Sequence, residues 1–591
     1  MRPGVPLGIV IAVVLLIRLP FLNQAIQGDD VYYLAGAEHA QIEPLHPNHT
    51  RYVLQGDLVD MRGHPHPPLD MWYLGMLLAL VGDIREVPFH AAYILFSLIA
   101  AVSMWSLARR FSAEPLWATL LFLAVPAFVI NGNSLESDVP FVAFWLAAVA
   151  AFTAGRLLPA AAALVLAAMA APQAVFLTPI LAVYVWLYAR RSAAAWAVTM
   201  APPLTLAGWQ LFEKLSGGVL PAALLSRYMS QYGWQALANK PLNAAALSVH
   251  LLWIVFPLLI PPAILASWKR RDRETVFLAA WIAIFFAGAL VIFFAGSARY
   301  LLPIAAPVCL LVSRLKRTWL IAGFLCQMPL SLGLAAANYQ HWDAYRQFAG
   351  SLKPYHRIWT NAEWGLQYYV ESEGGRSLQR GQAVRPGDLV VWSELAYPVN
   401  FSHGGGILTR VSEVDVRPKI PLRLIGLESK SGYSSASKGL WPFGISRGVV
   451  DRVTADVVAE RRPTLEYLPM NAPEADQQIV SGIYQLEQGS TWRWMSRRAV
   501  VLLKSPAAAS PLKVALYIPD ASPARRVTVQ LEGREAASRT FPGPGTYTLE
   551  TPAETAGAPT ATVTITIDKA FSVPGDAREL GIILTGVGFQ K

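Results

Sequence analysis

Two adjacent carboxylates, Asp29 and Asp30, lie in the stretch 27–69 between the first two hydrophobic segments, with Tyr32 close behind them. Carboxylates are costly in hydrocarbon, so a pair of acids beside a membrane helix invites a chemical explanation. One acid of such a pair could take a proton from a hydroxyl or amine as a general base. The alternative is a polar stop after a membrane helix, and these residues alone do not decide between the two.

A second acidic group, Glu136 and Asp138, precedes another hydrophobic segment. A carboxylate in the first turn of a helix is stabilised by the helix dipole by roughly 0.3–1 kcal/mol. Capping is therefore an alternative to a chemical role for Asp138.

Basic and aromatic residues accompany these acids. Arg299 and Tyr300 begin a late hydrophobic segment, and a guanidinium there could hold a phosphate in fork geometry or simply snorkel to the headgroups. His66 precedes Pro67-Pro68. The long loop 213–247 carries Arg227-Tyr228-Met229, which could cover a lipid phosphate and a sugar or anchor the protein at the interface.

The composition shows what must position these residues. Of 591 residues, 54% are hydrophobic and 15% charged, far below the roughly 25% charged residues of a soluble domain. The apolar runs cluster in the first 340 residues at membrane-spanning length, and we interpret the first run as a retained helix. The predicted spans are Val5–Leu22, Pro88–Leu107, Pro115–Ile130, Asp138–Ala154, Leu157–Ala171, Gln173–Tyr188, Ala194–Phe212, Ser248–Trp268, Thr275–Ala295, Tyr300–Val312 and Thr318–Ala337.

Charge predicts the orientation. Leu69–Val81 is short for a span; if it does not cross, the basic loops at 109–110, 190–191 and 269–273 share one side with Arg2. Basic loops face the cytoplasm, so the N-terminus is expected inside and the C-terminal portion outside. The net charge of +10 is explained in this way, and we predict no nucleic-acid partner.

The composition changes after the last span. Residues 341–464 mix helical and strand patterns, and residues 465–591 alternate in strands separated by Pro/Gly turns, which indicates a β-sandwich. Trp492 could stack on a sugar, although a packing role is commoner for such a residue. We therefore predict a polytopic α-helical membrane protein of about eleven spans (1–340, with a large outer loop 23–87), an extracytoplasmic α/β segment and a C-terminal β-sandwich.

Four motifs, in their order along residues 1–340, resemble those of the GT-C fold glycosyltransferases, most closely the protein O-mannosyltransferases, the lipid A aminoarabinose transferase and their bacterial relatives. The motifs are Asp29-Asp30-Val31-Tyr32, His66-Pro67-Pro68-Leu69, Ser137-Asp138-Val139-Pro140 and Arg299-Tyr300-Leu301-Leu302-Pro303. The family usually has Asp-Glu where this chain has Asp29-Asp30, which leaves open which acid acts.

The resemblance implies a GT-C-like catalytic domain in the plasma (inner) membrane, acting in the cell envelope. It implies Asp29 as the general base and Asp30 and Asp138 as residues that orient groups or contact substrate or metal. The remaining candidates for substrate binding are His66, Arg299, Tyr300, Tyr32 and Glu136. The implied donor is a polyprenyl-phosphate sugar, transferred with inversion to a protein, lipid or glycan. No cofactor is certain, since the family is mixed on metal dependence and a divalent ion stays open.

Two other classes of function stay open. A transporter or flippase of a lipid-linked saccharide would also have many spans and outward charges, although it should show mid-membrane charges and repeated halves. A receptor or scaffold that binds sugar through the β-sandwich is the third class.

Overall fold

The computed structural model describes residues 5–230, 233–270, 272–403, 406–460, 463–520, 524–554, 558–573, 576 and 578–590. Helices dominate up to residue 350 and strands dominate beyond it. The helices of the first part are α1 (Val5–Arg18), α2 (Asp30–His39), α3 (Leu69–Val81), α4 (Glu86–Phe111), α5 (Pro115–Leu123), α6 (Pro126–Asn131), α7 (Asp138–Thr153), α8 (Leu157–Ala170), α9 (Leu177–Tyr188), α10 (Ala193–Thr199), α11 (Ala201–Ser216), α12 (Pro221–Ser230), α13 (Gly233–Ala238), α14 (Lys240–Leu252), α15 (Ile260–Trp268), α16 (Arg273–Ile292), α17 (Leu302–Val312) and α18 (Arg317–Gly350).

Three of these helices, α4, α16 and α18, are long and apolar enough to cross a membrane. A fourth span is added if α14 and α15, with the segments beside them, form one span bent by 80°. Shorter apolar helices account for much of the rest, among them α1, α3, α7 and α8. The prediction of a helical, apolar first part is confirmed, whereas the count of eleven spans stays a prediction.

Several predicted spans are interrupted at prolines. The predicted span Pro115–Ile130 divides into α5 and α6, with Val125 extended (ψ 124°) before Pro126 at the first turn of α6. The predicted span Ala194–Phe212 divides into α10 and α11 at Met200, just before Pro202. Proline lacks an amide proton and disfavours helical geometry in the residue before it, so an apolar run that is continuous in sequence becomes two helices.

The first outer loop is a folded unit. Helix α2 packs against α3, where Gly75 lies against Ala40 and the carbonyl of Ala37. Between them, strands β1 (Arg51–Leu54) and β2 (Asp57–Asp60) form an antiparallel hairpin. This loop places residues 29–66 beside the ends of the helices.

The mixed segment contains one helix and a five-stranded sheet. The strands are β3 (Ile358–Asn361), β4 (Arg376–Ser377), β5 (Leu389–Ser393), β6 (Gly406–Val416) and β9 (Asp451–Glu460), in the order β4-β3-β5-β9-β6, with β7 (Leu422–Arg423) and β8 (Gly444–Ile445) paired separately and α19 (Trp364–Ser372) after β3. Its inner side chains, such as Val391 and Val453, belong to the same hydrophobic core as the helices. Helix α18 also continues past residue 340, so the division predicted there stays a prediction.

The C-terminal part is all-β, as predicted, and has its own core. Its elements are β10 (Tyr467–Pro469), α20 (Ala475–Gln478), β11 (Ile479–Ile483), β12 (Arg493–Lys504), β13 (Ser510–Ile518), β14 (Arg525–Leu531), β15 (Arg534–Phe541), β16 (Gly545–Glu554), β17 (Thr560–Ile567) and β18 (Ile583–Phe589). Strand β12 pairs with β18 through residues 493–494 and with β17 through residues 498–504. The two predicted layers are therefore joined through β12 into one sheet that curls towards a barrel.

Candidate active site

A cavity of about 900 Å³ lies where the loop 23–87, the helix ends beside it and the mixed segment meet. Its lining contains the charged Asp29 and Arg299 as well as the apolar Leu224, Leu225 and Phe294. Every one of the sequence-predicted site residues except Asp30 lines it: Asp29, Tyr32, His66, Glu136, Asp138, Arg299 and Tyr300. Residues that are up to 270 positions apart in sequence are thus brought together.

Asp29 is held at the cavity by a tight turn. Gly28 before it has φ +46°, and a Cβ there would lie 2.6 Å from Glu136 Oε1, so the turn requires glycine. The amide of Asp29 donates to Glu136 Oε1 at 3.1 Å. The Asp29 side chain is 39% exposed, more than any other acid in the cluster, and is open to a substrate.

Arg299 is the centre of the acidic cluster. Its Nη2 donates to Asp29 Oδ2 at 3.0 Å, and its Nη1 contacts Glu136 Oε2 and lies 3.5 Å from Asp138 Oδ2. One guanidinium thus contacts three carboxylates, one at the start of α2 and two at the start of α7. The snorkelling alternative does not describe this arrangement, since the charged group faces protein carboxylates.

Asp138 and Glu136 are more enclosed than Asp29. Asp138 accepts a hydrogen bond from Asn131 Nδ2 at 3.2 Å, and Asn131 Oδ1 accepts one from the Tyr433 hydroxyl of the mixed segment. Asp138 stands in the first turn of α7, where the dipole favours it. Its contact with Arg299 is additional to that placement, so capping is not its whole role.

Asp30 is fully buried and does not line the cavity. Its Oδ1 accepts from Ser134 Oγ at 2.7 Å and from the Leu135 amide at 2.8 Å, and its Oδ2 accepts from the Gln27 amide at 3.0 Å. Burial raises the pKa of Asp30 to about 7, against the opposing effect of these hydrogen bonds. These contacts suit the predicted orienting role, since Asp30 joins the two acidic segments next to Asp29; a contact of Asp30 with substrate or metal stays a prediction.

His66 lies in the cavity wall as a neutral side chain. Its Nδ1 is 2.8 Å from Ser137 Oγ and 3.2 Å from the carbonyl oxygen of Ala170. Burial lowers the pKa of His66 to about 3 and that of neighbouring His64 to about 4. The lowered pKa favours the uncharged imidazole, which can still hydrogen-bond a phosphate, and phosphate binding by His66 stays a prediction.

The two predicted tyrosines shape the cavity. Tyr300 stacks on Phe293 with ring centroids 3.9 Å apart. Tyr32 packs against Tyr52, with centroids 4.7 Å apart, on the side of the cavity formed by the first outer loop. Aromatic faces at two sides of a polar centre suit a sugar ring.

Glu363, from the mixed segment, is a cavity residue that the sequence did not indicate as a site. It is 5% exposed, and its Oε1 accepts a hydrogen bond from the Gln55 amide. Burial, with a smaller contribution from the charge of Asp29, raises the pKa of Glu363 to about 8. Next to Glu363 the backbone approaches the segment around Ile26 closely. A Cβ on Gly365 would lie 2.1 Å from the Ile26 carbonyl oxygen, and Trp364 has φ +64°. The Glu-Trp-Gly run was the only signal for this position in the sequence.

Arg227 supplies a second cation. It lies on α12, is exposed and lines the cavity. Among the residues that the structure describes, Arg227 has no carboxylate partner, in contrast to Arg380, which pairs with Asp57 at 3.2 Å. Its charge is therefore free to meet an anionic ligand.

The three carboxylates of the acidic cluster converge on the guanidinium of Arg299, whose single charge offsets one of theirs, and a divalent ion at this cluster stays a prediction. Within the described residues, the group whose donor atoms suit a metal ion lies elsewhere, at His46, His49 and Glu213.

Comparisons with known proteins agree with the resemblance found in the motifs. A scan against protein-family models and a search of curated proteins gave no match. Among solved structures, the chain is similar to ArnT from Cupriavidus metallidurans bound to undecaprenyl phosphate, at 13% identity over 66% of this chain and 94% of that one, with a TM-score of 0.46. The S. cerevisiae protein O-mannosyltransferase Pmt1-Pmt2 complex bound to the sugar donor is similar over 38% of this chain and 33% of that one, at 16% identity and a TM-score of 0.28.

The arabinofuranosyltransferase AftD from Mycobacteria matches 98% of this chain and 60% of its own, at 11% identity and a TM-score of 0.41. Because these TM-scores lie below 0.5, the function proposed below rests on the residues of the cavity.

Proposed function

We propose that the protein is an integral membrane glycosyltransferase that moves a sugar from a polyprenyl-phosphate donor to an extracytoplasmic acceptor. The observation that carries this proposal is the part-exposed Asp29, held by Arg299 in a cavity that both polar and apolar side chains line. The volume of about 900 Å³ lies within the range of small-molecule sites, roughly 300–1,000 Å³. The apolar wall at Leu224, Leu225 and Phe294 suits the first units of a lipid chain.

The chemistry is a direct displacement at the anomeric carbon. The acceptor oxygen or nitrogen attacks this carbon, its proton passes to an Asp29 carboxylate oxygen, and the bond from the anomeric carbon to the phosphate oxygen breaks. The electron pair of that bond stays on the phosphate, so polyprenyl phosphate leaves and the configuration inverts. Arg299 and Arg227 stabilise the charge that grows on the leaving phosphate.

The contacts of Arg299 explain how binding of the donor would activate Asp29 as a base. In the absence of substrate its Nη2 pairs with Asp29. A donor phosphate competes for the same fork of N–H groups. When Arg299 turns to the phosphate, the Asp29 carboxylate is released to accept a proton. Glu136 and Asp138 keep the guanidinium in place throughout.

The transport alternative is not favoured by any of these contacts. A transfer assay separates the two functions: membranes with the wild-type chain or Asp29→Asn are given a panel of radiolabelled polyprenyl-phosphate sugars. We expect label to move to an acceptor only with wild type. Asp83→Asn, an exposed acid in the same loop, is the matched control and should retain transfer. Flipping of a donor without any transfer would establish the transporter instead.

The location follows from the same proposal. We place the chain in the plasma membrane of a bacterium, with the N-terminus in the cytoplasm and the mixed and β parts outside. A reporter fused after Lys591 should read outside the cytoplasm. A cytoplasmic readout would show that Leu69–Val81 crosses the membrane or that another span is absent.

A further inference from the structure

A second cluster of titratable side chains lies at the outer end of α11, apart from the acidic cluster around Arg299. His49 Nε2 lies 2.9 Å from Glu213 Oε2, and His46 Nδ1 lies 3.7 Å from Glu213 Oε1. The Glu213 side chain is 1% exposed. The three donor atoms lie within 4.8 Å of one another.

The spacing of these atoms suits a small tetrahedral ion. Ligand atoms held ~2.1 Å from a tetrahedral zinc ion are about 3.4 Å from one another. The two measured separations, 2.9 Å from His49 Nε2 to Glu213 Oε2 and 3.7 Å from His46 Nδ1 to Glu213 Oε1, lie on either side of that value, although each histidine faces a different oxygen of the carboxylate. Because one ligand atom from each residue lies within 4.8 Å of the others, rotations of the side chains would bring one imidazole nitrogen from each histidine and one carboxylate oxygen onto a common centre.

The surroundings match those of a metal-binding histidine. The other ring nitrogen of His49 lies 3.9 Å from Glu43 Oε1, and Glu43 Oε2 lies 3.5 Å from His39 Nε2. A carboxylate behind a ligating imidazole orients the ring and makes its free nitrogen a better donor. The ring of His46 is stacked between His49, at 4.2 Å, and Phe212, at 5.0 Å, which fixes its direction.

One further atom lacks a partner. His46 Nδ1 is buried and makes no hydrogen bond among the described residues, although it faces Glu213. A buried polar atom without a partner costs roughly 1–3 kcal/mol. Metal coordination would satisfy this atom and the buried Glu213 carboxylate together.

We propose that His46, His49 and Glu213 bind one Zn²⁺ ion, with Glu43 orienting His49 and a water in the fourth position. Two imidazoles and a carboxylate form a common zinc ligand set. The ion would join the first outer loop to the end of α11. It lies outside the acidic cluster and does not depend on the proposed transfer reaction.

By joining the first outer loop to the end of α11, the zinc ion would also fix the position of α12. Arg62 Nη1 donates to the Gly217 carbonyl oxygen at 3.1 Å, and a Cβ on Gly63 would lie 3.1 Å from Leu224 Cβ. The chain from Glu213 through Gly217 to α12 thus lies directly on the first outer loop. Since α12 carries Leu224 and Arg227 into the cavity wall, the zinc ion would hold that wall closed.

The first test is the metal content of the full-length protein in detergent, purified without a histidine tag and measured by mass spectrometry. We expect about one zinc per chain in the wild type and none above the buffer level in His49→Ala and Glu213→Gln. Glu43→Gln should retain the site but weaken zinc affinity about 10–100-fold. His356→Ala and Glu373→Gln, which change an exposed histidine and an exposed acid elsewhere, should keep the wild-type content.

A second measurement covers variants that fold poorly. Wild-type protein stripped with a chelator and reloaded with Co²⁺ should show the visible absorption of a tetrahedral cobalt site, and its melting temperature should rise on adding Zn²⁺. Zinc that persists in both His49→Ala and Glu213→Gln would overturn the site. A stripped wild type that takes up neither ion would do the same. Loss of a different bound metal on these substitutions would overturn the assignment to zinc.

Discussion

Two acidic clusters stand at the outer ends of the helices, and they differ in the side chains that balance their charge. Asp29, Glu136 and Asp138 surround the guanidinium of Arg299. Glu213 instead meets the imidazoles of His46 and His49. Arginine is always charged and offers only donors, whereas a neutral imidazole offers a lone pair.

This difference separates two kinds of chemistry. A carboxylate that is hydrogen-bonded to an arginine becomes available to a substrate once the guanidinium turns to another anion. A carboxylate beside two imidazoles completes a set of lone pairs that a metal ion can use. Similar acids in neighbouring loops are therefore suited to transfer at one place and to structural binding at the other.

The largest effect is expected for Asp29→Asn, which keeps the shape of the side chain and removes the base. Transfer should fall about 10²–10⁴-fold, the usual contribution of a general base. The zinc content should be unchanged, and the measurement is label transfer in membranes alongside metal analysis. Loss of zinc in this variant would show that the two clusters are not independent.

The next effect is expected for Arg299→Lys, which keeps the positive charge but removes the paired N–H donors of the guanidinium. Hydrogen bonds to charged groups contribute roughly 1.5–3 kcal/mol, so transfer should fall about 10–100-fold. Donor affinity should weaken as well, as measured by initial rates over a donor series. Arg417→Lys is the matched control, since Arg417 and its partner Asp415 both lie away from the cavity lining. Unchanged kinetics would remove Arg299 as the phosphate ligand.

A smaller effect concerns the pH dependence of stability through Glu363. Because burial raises its pKa from 4.5 to about 8, the stability that this carboxyl contributes is present below pH 4.5 and is lost as the pH rises through 8. In Glu363→Gln the apparent melting temperature should therefore fall less steeply from pH 5 to pH 8. The exposed Glu373→Gln should follow the wild type. An identical slope in Glu363→Gln would show that Glu363 ionises normally.

The smallest effect is expected for Trp492→Ala. Trp492 packs edge-on against Trp494, with centroids 6.1 Å apart, and does not line the cavity. Transfer and zinc content should both stay at the wild-type level. A fall in acceptor affinity, measured as a rise in KM with kcat unchanged, would support the sugar-stacking alternative. The C-terminal β part would then contribute to substrate binding together with the acidic cluster.

The sequence by itself determined the features that depend on local composition. Apolar runs predicted a helical first part, and alternation predicted an all-β end. Hydrophobic periodicity and charge, which can be assessed without knowing which residues meet, gave these features. The main residues of the cavity came from the resemblance of the four motifs to a known family, and the common side of the membrane for Asp29, Asp138 and Arg299 stays a prediction.

Only the tertiary structure decided what each acid does. Asp29 and Asp30 are identical in type and adjacent, yet the first is 39% exposed at Arg299 and the second is fully buried among hydrogen-bond donors. Glu363 enters the cavity from the mixed segment, and Glu213 reaches His49 across 164 positions. Burial and partner identity set the charge state and accessibility of a carboxyl, and both arise from contacts between segments far apart in the chain.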